Sequence, residues 1–500
     1  MINFLKKSIA KIWAKNHVAK TKDFKNNAEV LQEKLLLDLV KKSEKTLFGL
    51  QHNFSEIKTV EDFQKNVKIS DYEDLKPFVE KVKHGDKNIL WPEKPEYFAK
   101  TSGTTSGTKY IPLTKEGMDY QVKAAQSALF HYIAQKNNAD FVNGKMIFLQ
   151  GSPELEDIND IKTGRLSGIV AHHIPKYLQK NRLPSYETNC IEDWETKVDK
   201  IVEETEKENM TLISGIPPWL IMYFEKLIER NGKKIKQLFP NLQLIVTGGV
   251  NYEPYREKME ELLGGKVDII QTFPASEGFF AFQDDYEKEG LLLQSNHGIF
   301  YEFIPLELYG KPDAPRLTLK EVELNKDYAL ILTTNSGLWA YSIGDVVRFI
   351  SKNPHRILVS GRTKHFTSAF GEHVIAFEVE EAMKATVEKF PAQITEFHLA
   401  PQVNPENGEL PYHEWFIEFE KEPENLEDFR QNLDAEMRKR NTYYDDLISG
   451  NILQVLKITK LQKNAFQEYA KSEGKLGGQN KIPRLANDRK IGDFLKNFKI

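Results

Sequence analysis

Thr101-Ser102-Gly103-Thr104-Thr105-Ser106-Gly107-Thr108-Lys109-Tyr110-Ile111-Pro112-Leu113-Thr114 crowds six hydroxyl side chains, two glycines and a lysine into its first nine positions. It follows directly on the strand-like Glu96-Tyr97-Phe98-Ala99. Glycines let backbone N–H groups close on an anion, hydroxyls add donors, and Lys109 adds a compact positive charge. This is the composition of a loop that holds a polyphosphate. It is not a Walker loop, because only three residues separate Gly103 from Gly107 and Tyr110, not Ser or Thr, follows the lysine. A flexible linker is the plainer alternative, but linkers seldom pass through Lys-Tyr-Ile-Pro-Leu-Thr into an amphipathic helix.

The 500 residues around this loop suggest two domains, possibly three, with chain enough for a large core. A net charge of -4, from 69 basic and 73 acidic residues, gives no electrostatic reason to expect nucleic acid. The single cysteine, Cys190, excludes an intrachain disulfide or a multi-cysteine zinc site, and a reducing cytoplasm is expected. No apolar run approaches a membrane span. Met1–Asp23 sets Phe4, Leu5, Ile9, Ile12, Trp13 and Val18 among lysines; Lys6, Lys7 and Lys11 break any signal-peptide core. It reads either as an interfacial helix or, more simply, as a basic amphipathic helix packed on the protein, with no membrane association.

Helical stretches at Glu29–Lys45, Lys115–Gln135, Trp219–Arg230 and Pro254–Leu263 alternate with strand-like Met146–Gln150, Leu242–Thr247 and Val267–Thr272. Such alternation predicts α/β layers with mainly parallel pairing. From Gly290 to Ile350 the pattern turns strand-rich (Leu291–Gln294, Ile299–Pro305, Glu321–Leu324, Ala329–Thr334, Val346–Ile350), suggesting a β-subdomain or barrel. After the short strand Arg356–Val359 and a polar turn at Ser360–Lys364, the order helix, strand, strand, helix, strand predicts a small α+β domain. The expected division is 1–360, a hinge at 361–366, and 367–500.

Four further constellations carry chemistry. Gln271-Thr272-Phe273-Pro274-Ala275-Ser276-Glu277-Gly278 places an acid at the end of a buried strand, where open α/β sheets bind ligands. Glu277 is either a Mg²⁺ ligand or an acid in a surface turn, and Phe273 is placed to stack on a base. In Tyr341-Ser342-Ile343-Gly344-Asp345-Val346, Asp345 is either a ribose acceptor or an ordinary turn aspartate before a strand. Arg362 lies at the proposed boundary. Lys481 lies in the glycine-rich Gly477-Gly478-Gln479-Asn480-Lys481. No G-x-S-x-G, H-E-x-x-H or G-x-G-x-x-G occurs.

In this order the elements resemble the adenylate-forming superfamily of acyl-CoA synthetases, peptide-synthetase adenylation domains and luciferases. Within it, the chain most resembles the auxin-responsive family of acyl acid–amido synthetases, on residues 101–112, Ser-Gly-Ile-Pro-Pro-Trp at 214–219, Thr-Gly-Gly-Val at 247–250, Ala-Ser-Glu-Gly at 275–278, Tyr-Ser-Ile-Gly-Asp-Val-Val-Arg at 341–348 and Gln-Asn-Lys-Ile-Pro-Arg at 479–484. The resemblance implies a large adenylate-forming domain and a small mobile one that rotates between half-reactions. It implies ATP and Mg²⁺ as requirements, with a small carboxylic acid and an amino acid as partners. Ser102, Gly103, Thr104, Thr105, Ser106 and Lys109 would hold phosphates, and Gly248, Gly249 and Val250 would line adenine beside Phe273. Ala275 and Ser276 flank that site, Glu277 would place Mg²⁺, Asp345 would bind ribose, and Arg362 ribose or phosphate. Lys481 would reach the site in one domain orientation, and Ile216 and Trp219 mark the start of the acyl pocket. Phe273 stands where the family usually has Tyr, and Gly371-Glu372-His373 replaces a stretch carrying a lysine in plant members. A thioester ligase using the same adenylate, or an inactive nucleotide-binding protein, are the alternatives.

Overall fold

The computed structural model describes residues 2–21, 25–101, 108–174, 179–191, 193–249, 252, 255–363, 366–367, 370, 374–403, 405, 409–449, 453–474, 482–486 and 488–500. The chain forms two compact units. The larger comprises 1–252, 259–343 and 347–358; the smaller comprises 253–258, 344–346 and 359–500.

The larger unit is built on an eleven-stranded sheet. Its parallel half runs through β3 (Lys145–Phe148), β6 (Arg182–Leu183), β7 (Met210–Ser214), β8 (Leu244–Gly248) and β9 (Asp268–Ala275). Successive side chains on a strand point to opposite faces, and the sequence obeys this pair by pair. Met146, Leu212 and Leu244 join one core with Tyr132, Ala128 and Phe282; their neighbours Ile147, Ile213 and Ile245 join another with Leu220, Tyr223 and Phe224. Both faces are therefore covered by helices, Ile2–Lys20 and Lys115–Lys136 on the first and Pro217–Asn231 on the second. Pro217 opens the last of these, and Gly232, at φ 66, closes it in the left-handed conformation that favours glycine.

The strand-rich stretch consists of β10 (Gly278–Phe282), β11 (Leu291–Leu293), β12 (Ile299–Pro305), β13 (Asp327–Thr334), β14 (Tyr341–Lys352) and β15 (His355–Arg362). These strands are hydrogen-bonded onto the α/β layer in the same sheet, in the order β12-β13-β14-β15-β11-β10-β9. Three local expectations change. Glu321–Leu324 is turn and coil rather than strand. Asp345 lies inside β14, not in a turn before it: Gly344 takes φ 86, in the left-handed region that glycine adopts without strain, and the strand continues through it. Ser360-Gly361-Arg362 continues β15 instead of ending it, because Ser360 is buried and the chain turns only at Thr363, whose N–H donates to Gly344 O at 2.7 Å.

A second sheet in this unit has the order β2-β1-β5-β4, formed by β1 (Tyr97–Thr101), β2 (Lys109–Leu113), β4 (Glu156–Ile158) and β5 (Ile161–Gly164). The smaller unit holds a three-stranded sheet of β18 (Gln393–Gln402), β19 (Tyr412–Lys421) and β20 (Lys457–Leu461), whose core includes Phe397, Trp415, Ile417, Phe429 and Tyr444. Among the described residues, no helix is long and apolar enough to cross a membrane.

Candidate active site

The ends of the opening motif pair as the two strands of a β-hairpin, Thr101 with Lys109 and Tyr97 with Leu113, and Thr114 passes directly into the expected helix, Lys115–Lys136. The hairpin tip, including Ser102, Gly103, Thr104, Thr105 and Ser106, lies outside the described residues. The base of the hairpin is fixed. Tyr110 N–H donates to the Tyr72 hydroxyl at 2.8 Å, and Lys109 Nζ stands 5.7 Å from the centre of the Tyr72 ring. Burial raises the Tyr72 phenol above its ordinary value, so it stays protonated.

The last residue of the motif does several jobs at once. Thr114 Oγ1 accepts from Gly117 N–H at 3.0 Å, capping the Lys115–Lys136 helix. The same hydroxyl donates to Asn335 O at 3.1 Å, and Thr114 N–H donates to Ser336 Oγ at 3.1 Å. A Cβ at Gly117 would sit 2.7 Å from Ser336 Oγ and would push that hydroxyl away from Thr114 N–H.

These contacts frame a small polar cleft. It is lined by Leu113 at the end of the hairpin, Gly117, Tyr120 and Gln121 on the helix, Glu277 in the turn before β10, Gly278 and Phe279 at the start of that strand, His297 and the Asn335–Ser336 turn. Glu277 sits between β9 and β10, half-exposed. Gln121 and Asn335 are buried, and the amide nitrogens Gln121 Nε2 and Asn335 Nδ2 have no hydrogen-bond partner among the described residues. Buried amides without partners are costly, which suits a wall completed by a ligand. Burial, assisted by the charges of His17 and Lys123, lowers His297 to about 4, so the imidazole is neutral near pH 7. Residues Gln121, His297 and Asn335 were not foreseen from sequence; the one available signal was the polar run Thr333–Ser336 ending a buried strand.

The residues expected to line adenine start from adjacent parallel strands. Gly248 pairs with Thr272, and Phe273, Ala275 and Ser276 follow toward Glu277. Gly249 takes φ 76; Val250 lies outside the described residues. Phe273 is buried and meets Phe280 edge-to-face, centroids 5.0 Å apart. Ile216 caps the start of the Pro217–Asn231 helix, half-buried, while Trp219 belongs to the core beneath it. In the smaller unit, Asp345 is buried on β14, and Arg362 ends β15. Lys481 and Gly371-Glu372-His373 lie outside the described residues. No group of three or more His, Cys, Asp or Glu side chains that could hold a metal occurs among the described residues. A magnesium ion bridging phosphates needs only one or two carboxylates, and Glu277 in a polar cleft fits that requirement.

The GH3 family N-terminal domain matches residues 17–183 and 159–269, its central domain 292–362 and its C-terminal domain 377–490. A jasmonoyl–L-amino acid synthetase, JAR4 of Nicotiana attenuata, is 24% identical over 57% of this chain and 60% of its own length. A probable indole-3-acetic acid-amido synthetase, GH3.1 of Arabidopsis thaliana, is 21% identical over 94% of this chain and 91% of its own. Among solved structures, AtGH3.15 acyl acid amido synthetase in complex with 2,4-DB superposes with a TM-score of 0.80 at 17% identity, over 97% of this chain and 96% of that one. A 2-hydroxyisobutyryl-CoA ligase in complex with 2-HIB-AMP gives 0.61 at 12% identity, over 93% and 90%. At such identities the two superpositions speak for the fold.

Proposed function

The chain belongs to the GH3 family, and on that premise we propose that it is an ATP-dependent acyl acid–amido synthetase. It would adenylate a carboxylic acid and pass the acyl group to the amine of an amino acid. The observation that carries this reading is one polar cleft lined by Leu113, which ends the strand that Lys109 begins, by Gly117 in the capped first turn of the Lys115–Lys136 helix, and by Glu277. The relatives, named for joining jasmonic or indole-3-acetic acid to amino acids, support the same reaction class.

An acid of pKa about 4 is ionised at neutral pH, so the first step needs no base. Its carboxylate oxygen attacks the α-phosphorus of ATP, and the bond to the pyrophosphate oxygen breaks. The work left to the protein is positioning and charge neutralisation, which matches a site of donors and lysines. Lys109 with Ser102, Gly103, Thr104, Thr105 and Ser106 would hold the departing pyrophosphate. Gly248, Gly249, Val250 and Phe273 would line the base, with Ala275 and Ser276 continuing that wall. Asp345 would accept from the ribose hydroxyls, Arg362 would contact ribose or phosphate, and Lys481 would act in the adenylation step. When bound, Mg²⁺ neutralises phosphate charge, and Glu277 would hold it. Ile216 would face the acyl group, with Trp219 fixing that helix from the core. The amine nitrogen then attacks the acyl carbon, AMP leaves, and the amine gives up a proton. The lone Cys190, which leaves no intrachain disulfide to form, supports a reducing cytoplasm as the compartment in which this reaction would run.

The test is a screen of acids against amino acids read by mass spectrometry. The expected product is an amide formed with one AMP per turnover. Thioester formed only with CoA, and no amide with any amino acid, would overturn the proposal.

A further inference from the structure

The helix Ile2–Lys20 carries five lysines (Lys6, Lys7, Lys11, Lys15 and Lys20) and no acidic residue, in a chain whose overall charge is -4. One face is committed to the protein. Ala14 is fully buried with Ala10 beside it in a core shared with Ala124 and Ala128, His17 Nε2 lies 2.7 Å from Ser127 Oγ, and Lys7 pairs with Asp140 at 2.5 Å. The opposite face is not. Ile9, Ile12 and Trp13 are 40%, 58% and 58% exposed, and their spacing puts all three on one side of the helix. Exposed Lys6 flanks this strip on one edge and exposed Lys15 on the other, while exposed Asn16 and Lys20 continue it toward the helix C-terminus. Isolated exposed hydrophobes are ordinary, but three on one helical face between lysine borders are not scattered.

We infer that this outer face docks on the surface of an anionic lipid bilayer. Trp13, Ile12 and Ile9 enter the headgroup–acyl boundary, and the bordering lysines meet lipid phosphates. An amphipathic helix with a lysine-rich rim is suited to lying in the interface plane. Both aliphatic stems and ammonium heads are satisfied there, because lysines bury their chains and keep their charge at the headgroups. A second copy of the chain is the weaker occupant. A two-fold contact places the same patch against itself, setting the exposed Lys6, Lys15 and Lys20 against their own copies with no acid on either helix to neutralise them.

The test is flotation of the full-length protein with phosphatidylcholine vesicles, with and without phosphatidylglycerol. The protein is expected to float only with the anionic vesicles and to be released by high salt. Ile12→Ala with Trp13→Ala is expected to lower the bound fraction about tenfold by removing apolar burial. Lys6→Glu with Lys15→Glu is expected to abolish the preference for phosphatidylglycerol. All four positions are exposed, so unchanged thermal melting verifies that each variant folds. Wild-type protein that stays in the soluble fraction, or an alanine variant that floats like wild type, overturns the inference. So does light scattering showing a dimer that the alanine variant converts to monomer, which would assign the face to self-association.

Discussion

Gly248→Ala is the substitution that most directly couples packing to chemistry. Gly248 ends β8 and pairs with Thr272 on the neighbouring parallel strand. A Cβ at 248 would lie 2.7 Å from Thr272 O and 3.1 Å from Pro274 Cδ, and closer still to Thr272 Oγ1. The hydroxyl can rotate away, but it then forfeits its 3.0 Å hydrogen bond to Thr247 O. The carbonyl cannot yield unless β9 moves. Ordinary contact begins near 3.4 Å, so β9 must shift by several tenths of an ångström. That strand leads through Phe273, Ala275 and Ser276 to Glu277. Overpacking of this kind costs about 1–3 kcal/mol, and displacing a reacting geometry by an ångström costs roughly 10²-fold in rate. Gly248→Ala should therefore melt a few degrees lower and lose roughly tenfold to a hundredfold in acid-dependent ATP–pyrophosphate exchange. Gly310 has nothing within 4 Å of its Cβ position, and Gly310→Asn is the control expected to leave exchange unaltered. Wild-type exchange and melting in Gly248→Ala would refute the claim that this close approach positions the site.

Asp284 is buried against Arg356 at 2.8 Å and Lys25 at 2.6 Å; Asp284→Ala should cost about 3–5 kcal/mol in urea unfolding by stranding Arg356, with partial recovery on adding Arg356→Met. Thr114→Val should cost about 1–2 kcal/mol through the lost cap and lower exchange by loosening Asn335, measured by melting and exchange together. Burial holds His131 and His297 at about 4 against 6.5 unfolded. The folded state therefore binds fewer protons between those values, and stability present above pH 6.5 is lost as pH falls toward 4, by roughly 3 kcal/mol for each histidine. His131→Phe should flatten part of that acid limb in pH-dependent denaturation.

Two strands of the parallel half were legible because Met146-Ile147 and Leu244-Ile245 are apolar on both faces, the mark of strands covered on both sides, whereas the strand between them, Met210–Ser214, was not among those expected. Strand ends were less legible where a polar or glycine step sits inside a strand. Gly344-Asp345 and Ser360-Gly361-Arg362 read as turns, yet each continues a ladder, through a left-handed glycine in one case and a buried serine in the other. Glu321–Leu324 had the alternation of a strand and lies in turn and coil. Motifs identified the residues with local signatures, Lys109, Glu277 and Gly248. They could not identify Gln121, His297 and Asn335, which meet Glu277 only through the packing of the Lys115–Lys136 helix against the sheet. Thr114 shows the same limit: besides capping the Lys115–Lys136 helix, it donates to Asn335 O, a bond that spans 221 positions.

Acid-dependent exchange of pyrophosphate into ATP tests the central claim most directly. With the amine omitted, the account predicts exchange with at least one acyl acid, and its loss in Lys109→Ala. No exchange across a broad acid panel, or equal exchange without any acid, would contradict it.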